Sequence, residues 1–103
     1  MNKGYTLRAL PLFEEDLNSI VDYIAFTLQN PAAAEELIDE VEKAVYERLH
    51  CPEAFEPFHS VKERAYPYYR ISVKNYTIFY VVIGNVMELR RILYSRRNWK
   101  AMI

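Results

Sequence analysis

Arg90, Arg91, Arg96 and Arg97 crowd the stretch Leu89-Arg90-Arg91-Ile92-Leu93-Tyr94-Ser95-Arg96-Arg97-Asn98-Trp99, just after the run Asn75-Tyr76-Thr77-Ile78-Phe79-Tyr80. A guanidinium group offers paired donors that match phosphate oxygens, and it can stabilise the charge that builds up during phosphoryl transfer. Tyr68, Tyr69, Tyr76, Tyr80 and Tyr94 add rings on which bases can stack, although several of them must also fill a core. Arg70 can join the cluster if its strand pairs with the others. The chemistry these residue types suit is RNA cleavage or nucleic-acid binding. The plainer alternatives are an ion pair with a helix carboxylate for Arg91 and a solvated tail for Arg96, Arg97 and Lys100.

Other chemistries find little support. His50, Cys51 and His59 are too few and too irregularly spaced for a zinc site, no Ser–His–Asp or Cys–His arrangement is legible, and Gly4 and Gly84 form no phosphate-cradling loop. No metal and no nucleotide cofactor is therefore expected. Glu35, Glu36, Asp39, Glu40 and Glu42 have the pattern of a solvated helix face. Cys51 has no partner for an internal disulfide, the first residues lack a signal pattern, and no apolar stretch approaches the roughly 20 residues that span a bilayer. The expectation is a cytoplasmic protein with no membrane association.

The net charge of −1 conceals a division. Residues 1–60 carry four Lys and Arg against twelve Asp and Glu, a net of −8, whereas residues 61–103 carry nine against two, a net of +7. Such asymmetry points to an anionic partner for the basic half, or to packing of one half on the other.

The elements that must position these side chains can be read from the pattern of apolar residues. The 103 residues suffice for one domain, 1–103, with its own core. Tyr5 to Leu10 alternates like a half-buried strand. Pro11 suits a helix N-terminus with Glu14, Glu15 and Asp16 in the first turns, and Phe13, Leu17, Ile20, Ile24 and Leu28 line one face. Asn30-Pro31 reads as an N-cap followed by proline at the first helical position, and Leu37, Val41, Val45 and Leu49 stripe the second helix up to Cys51-Pro52. A connection with Phe55 and Phe58 leads to three strands, Tyr68–Val73, Tyr76–Ile83 and Val86–Tyr94, separated by the two-residue turns Lys74-Asn75 and Gly84-Asn85. The fold class is α+β: an N-terminal strand and a two-helix hairpin packed on an antiparallel sheet, whose other face is the candidate working surface. On the last strand the period of two sends Arg90 and Arg91 to opposite sides unless a bulge intervenes.

This order of elements, with Asp16-Leu17 and Ile20, the Asn30-Pro31-x-x-Ala34 junction, Leu49-x-x-Pro52 and the meander, resembles the RelE/ParE toxins of bacterial toxin–antitoxin pairs over nearly the whole chain. The usual late pattern of that family, N-Y-x-I-x-Y and then L-x-R-x-L-H-x-x-R-D, is matched by Asn75 to Tyr80 and by Leu89, Arg91, Leu93, Tyr94, Arg97 and Asn98. The resemblance implies a small growth-inhibiting toxin of a type II system, of the kind involved in plasmid stabilization, neutralised by a cognate antitoxin. RelE-like members cut mRNA in the ribosomal A site, and ParE-like members inhibit DNA gyrase. The departures lean towards ParE. Thr77 stands where RelE-like enzymes carry an arginine, Arg70 and Ser72 stand where they carry lysines, and Tyr94 and Asn98 replace the usual histidine and aspartate. A tyrosine with an ordinary pKa of about 10 is a poor general base at neutral pH. The ParE-like expectation makes Arg91, Arg96, Arg97 and Trp99 contact residues for gyrase. The alternative is a ribosome-dependent mRNA endonuclease with Arg70, Arg91, Tyr94 and Arg97 as catalytic residues, and an inactive relative that keeps only antitoxin binding is the third. Whether the chain is an enzyme stays open at this point.

Overall fold

Proline opens both helices in the computed structural model, which describes residues 4–58 and 65–97. The chain runs through β1 (Thr6–Ala9), α1 (Pro11–Asp22), a π-helical turn (Tyr23–Thr27), α2 (Pro31–Arg48), β2 (Tyr69–Val73), β3 (Tyr76–Ile83) and β4 (Val86–Tyr94). The Asn30 side chain caps α2 by accepting the Ala33 backbone N–H at 3.1 Å, which satisfies one of the donors that a helix start leaves orphaned. Along α2 the stripe Ala34, Leu37, Val41 and Val45 is buried, as its spacing requires.

The first helical stripe holds only as far as Ile24. The Leu28 N–H bonds the Tyr23 carbonyl at 2.9 Å, five residues back, so the turn is wider than an α-helical one. Four residues no longer return a side chain to the same face, and Leu28 is turned outward, 55% exposed, instead of joining the core.

The sheet order is β1-β4-β3-β2. The meander β2-β3-β4 is antiparallel as expected, and the N-terminal strand joins it as a fourth strand that lies parallel to β4, from Thr6 opposite Val86 to Ala9 opposite Leu89. The sheet is therefore mixed. Parallel neighbours need a long crossover, and the helical hairpin with the first two meander strands supplies it.

A bulge in β4 decides the fate of the arginines. Phe79 pairs with Arg91 but Tyr80 pairs with Leu89, which leaves Arg90 as the extra residue. Leu89 and Ile92 consequently both enter the main core although they are an odd number of residues apart. Arg91 shares a register row with Phe79 and Arg70, on the side away from the helices, rather than facing opposite to Arg90.

The main core lies between helices and sheet and includes Phe13, Leu37, Val41, Val45, Ile78, Tyr80, Met87 and Ile92. The opposite face, read from the sequence as the candidate working surface, carries apolar packing of its own. Tyr68, Phe79, Val81 and Leu93 form a second, smaller core there, against which Phe58 and Ile83 pack. Phe58 reaches this position by an antiparallel bridge to Tyr68, so the connection after α2 folds back along the sheet. A cleft opens at one end of that face.

Candidate functional site

The cleft has a volume of about 540 Å³ and is lined by Phe55, Glu56, Arg70, Ser72, Thr77 and Ser95. Its floor follows from register. Ser72 pairs with Thr77 across β2 and β3, Arg70 lies one row away on the same face, and Ser95 follows the end of β4. Thr77 Oγ1 and Ser95 Oγ are 2.8 Å apart and share a hydrogen bond, and the Ser95 backbone N–H donates to the Asn75 carbonyl at 2.8 Å. Of the described residues lining the cleft, Arg70 alone is cationic, with the carboxylate of Glu56 also on the wall. The Arg70 guanidinium carbon sits 5.0 Å from the centre of the Phe58 ring, within cation–π range.

Arg48, in the last turn of α2, braces this wall. Its Nη1 donates to the Arg70 carbonyl at 3.1 Å and to the Tyr80 hydroxyl at 2.9 Å, while its guanidinium carbon lies 3.6 Å over the Phe55 ring. The Tyr80 hydroxyl in turn donates a hydrogen bond to the Pro52 carbonyl at 2.7 Å. Burial pushes the Tyr80 phenol above its ordinary pKa, and the hydrogen bond and charge of Arg48 pull the other way without reversing it. One arginine thus ties the helix end, the connection and two strands together. Nothing in the periodicity of the sequence marks it, because its partners come from three distant segments.

Arg91 is committed elsewhere. Its Nε and Nη2 donate to the two carboxylate oxygens of Asp16 at 2.7 and 2.9 Å, and the same carboxylate accepts the Ile92 backbone N–H at 3.2 Å. β1 covers the β4 edge only up to Leu89, so the Asp16 side chain from α1 takes over where strand pairing stops. This bond to Asp16 raises the Arg91 pKa further above its ordinary range and outweighs partial burial. Arg90 and Arg8 flank Glu88, a buried carboxylate, at 2.6 and 2.7 Å. The Arg90 Nε is enclosed, and its contact with Glu88 is a charge pair without hydrogen-bond alignment.

The residues singled out in the sequence are therefore not gathered in one place. Arg70 lines the cleft, whereas Arg91 shares its row but reaches outward to Asp16. Tyr94 pairs with Tyr76 at the other face, their rings in an edge contact with centres 5.9 Å apart. Arg96 and Arg97 are exposed in the turn after β4, where the Arg97 N–H bonds the Tyr94 carbonyl. Asn98, Trp99 and Lys100 lie outside the described residues. Among the described residues no three His, Cys, Asp or Glu side chains gather to hold a metal ion, and no helix is long and apolar enough to cross a membrane.

Comparison with known proteins is decisive at the level of family. No curated protein sequence matches. Among solved structures, the chain is similar to one from the chromosomal ParDE toxin–antitoxin system of P. aeruginosa, with a TM-score of 0.70, 15% identity, and coverage of 88% of this chain and 96% of that one. At that identity the likeness speaks for the fold, the α+β arrangement of a helical hairpin on a sheet. The family described as "ParE toxin of type II toxin-antitoxin system, parDE" matches residues 7–99, nine-tenths of the sequence. The chain belongs to the ParE family of type II toxin–antitoxin toxins.

Proposed function

We propose that this protein arrests bacterial growth from the cytoplasm by binding DNA gyrase, and that a cognate antitoxin neutralises it. The observation that supports gyrase over mRNA cleavage is the make-up of the cleft. A nuclease needs cations to hold the scissile phosphate and a group that moves a proton near neutral pH. Here the cleft offers a single cation among the described residues, Arg70, with the carboxylate of Glu56 and the hydroxyls of Ser72, Thr77 and Ser95, which is too little positive charge to clamp a scissile phosphate. Arg91 is held by Asp16 and Tyr94 projects towards Tyr76, so neither adds to that set. In this reading Arg96, Arg97 and Trp99 contact the target, and Arg91 shapes the site through its pair with Asp16. A pair of this kind also suits plasmid stabilization.

Brief induction of the chain in a bacterium, followed by mapping of mRNA 5′ ends, tests the reading. Growth should stop without new ends inside translated frames, and purified toxin should inhibit gyrase supercoiling, with relief by the antitoxin. New ends at codon positions would overturn the gyrase assignment. Arg97→Ala should abolish the arrest while antitoxin binding, measured by calorimetry, stays unchanged. Persistent toxicity of that variant removes Arg97 from the contact set.

A further inference from the structure

The cleft adjoins a sheet edge. Among the described strands β2 is paired on one side only, with β3. Its outward backbone groups belong to alternate residues: the Tyr68 carbonyl accepts the Phe58 N–H and the Arg70 carbonyl accepts the Arg48 guanidinium, so by the period of two Ser72 carries the next outward pair. Phe58 shows what this edge accepts. It pairs antiparallel with Tyr68, and Glu56 would lie opposite Arg70 if the connection stayed in register. Pro57, its φ fixed by the ring, intervenes, and Arg48 rather than Glu56 takes the Arg70 carbonyl. The connection becomes a wall instead, so that Phe55 and Glu56 line the cleft together with Arg70 and Ser72.

Resting on the reading of the chain as an inhibitor of a protein target, we propose that this cleft receives an extended peptide segment of that target, bearing one carboxylate that pairs with Arg70. Each part of the lining has a use for such a ligand. The Arg70 guanidinium can hold a carboxylate through paired donors, the outward backbone groups at Ser72 and the hydroxyls of Ser72 and Ser95 suit peptide N–H and C=O groups, and the Phe55 ring offers an apolar wall for a neighbouring side chain. That wall is fixed, because the Arg48 guanidinium carbon lies 3.6 Å over the Phe55 ring while its Nη1 holds the Arg70 carbonyl. The balance of charge selects a peptide over a nucleic acid. One cation beside the Glu56 carboxylate matches one acidic side chain, whereas a run of phosphates would meet repulsion from Glu56 and find a single cation among the described lining residues.

The test titrates the isotope-labelled full chain with acetylated, amidated pentapeptides that carry a central Asp, or Asn as control, between β-branched residues, and follows backbone amide NMR shifts. The Asp peptide should move the Arg70, Ser72 and Ser95 amides saturably, and the Asn peptide should bind at least about tenfold more weakly. Arg70→Gln, at an exposed position, and Ser72→Tyr, which fills the cleft and keeps the arginine, should each abolish the shifts with the thermal midpoint retained, and should each need at least about tenfold more toxin to inhibit purified gyrase. Absent shifts at the cleft, equal affinity for the two peptides, or shifts that persist in both folded variants overturn the proposal. Full gyrase inhibition by both variants overturns it as well, since the cleft is then not used on the target. A single-stranded oligonucleotide that moves the same amides at lower concentration than the Asp peptide overturns it in favour of a nucleic-acid site. Wild-type toxin inert against gyrase refutes the gyrase reading alone, and the peptide titration then decides the cleft by itself.

Discussion

Asp16 shows how one side chain can serve two elements at once. Its carboxylate holds the Arg91 guanidinium through two bonds and finishes the β4 edge by accepting the Ile92 N–H. Both side chains are largely buried, at 16% and 13% exposure, so removing one strands the other in a poorly solvated place. Asp16→Ala should cost about 2–4 kcal/mol in urea unfolding, and adding Arg91→Met should restore part of that loss. The tyrosines give the opposite kind of sensitivity. Tyr80 and Tyr76 have raised phenol pKa values in the fold, so the folded state favours the protonated form. Their contribution is complete below the unfolded value of about 10 and is lost as pH rises through the higher folded value. Stability should therefore fall above pH about 10. Tyr80→Phe should flatten that fall while lowering stability near neutrality by about 1–3 kcal/mol, because Arg48 and the Pro52 carbonyl each lose a partner. Urea titrations at several pH values check both statements.

At the scale of elements, the β4 bulge matters most. The period of two would separate Arg90 from Arg91, and the sequence contains no glycine there to announce an extra residue. The bulge is dictated instead by what must be buried. Leu89 and Ile92 both enter the main core, and one residue has to be absorbed between them. Deleting Arg90 should send Ile92, fully buried in the native protein, to the other face and draw Arg91 away from Asp16. The expected outcome is loss of a cooperative thermal transition, whereas Arg90→Ala, which keeps the spacing, should remain folded. The π-helical turn is a second such case. The stripe from Phe13 to Ile24 was readable, but the widened turn that exposes Leu28 depends on where α2 must begin and pack.

For the whole molecule, the acidic first half and basic second half are partly explained by packing. Asp16 with Arg91 and Glu36 with Lys74 each join an acid of the first half to a base of the second, whereas Arg8 with Glu88 runs the other way. Arg96 and Arg97 remain as cations with no acid partner among the described residues, which is why they carry the proposed contact. The fold and the docking should then respond differently to salt. Between about 0.05 and 0.5 M salt, unfolding free energy should change by less than about 1 kcal/mol, since Lys74–Glu36 is exposed and worth little and the more enclosed pairs are poorly screened. Binding to the target should weaken measurably over the same range, as fluorescence titration at each salt concentration would report. An unchanged affinity would argue against an electrostatic role for Arg96 and Arg97.

The order and type of the elements, the cap at Asn30, the three meander strands with their two-residue turns and the family itself were determined by the sequence alone. They rest on local period, on turn chemistry and on motif order, all of which act between near neighbours in the chain. Only the tertiary structure decided that β1 lies parallel to β4, that the far face of the sheet carries a second core, and that Arg91 answers to Asp16 and Arg48 to Tyr80. Those outcomes depend on which surfaces meet across long sequence separations, where burial and charge pairing override the period of a single strand.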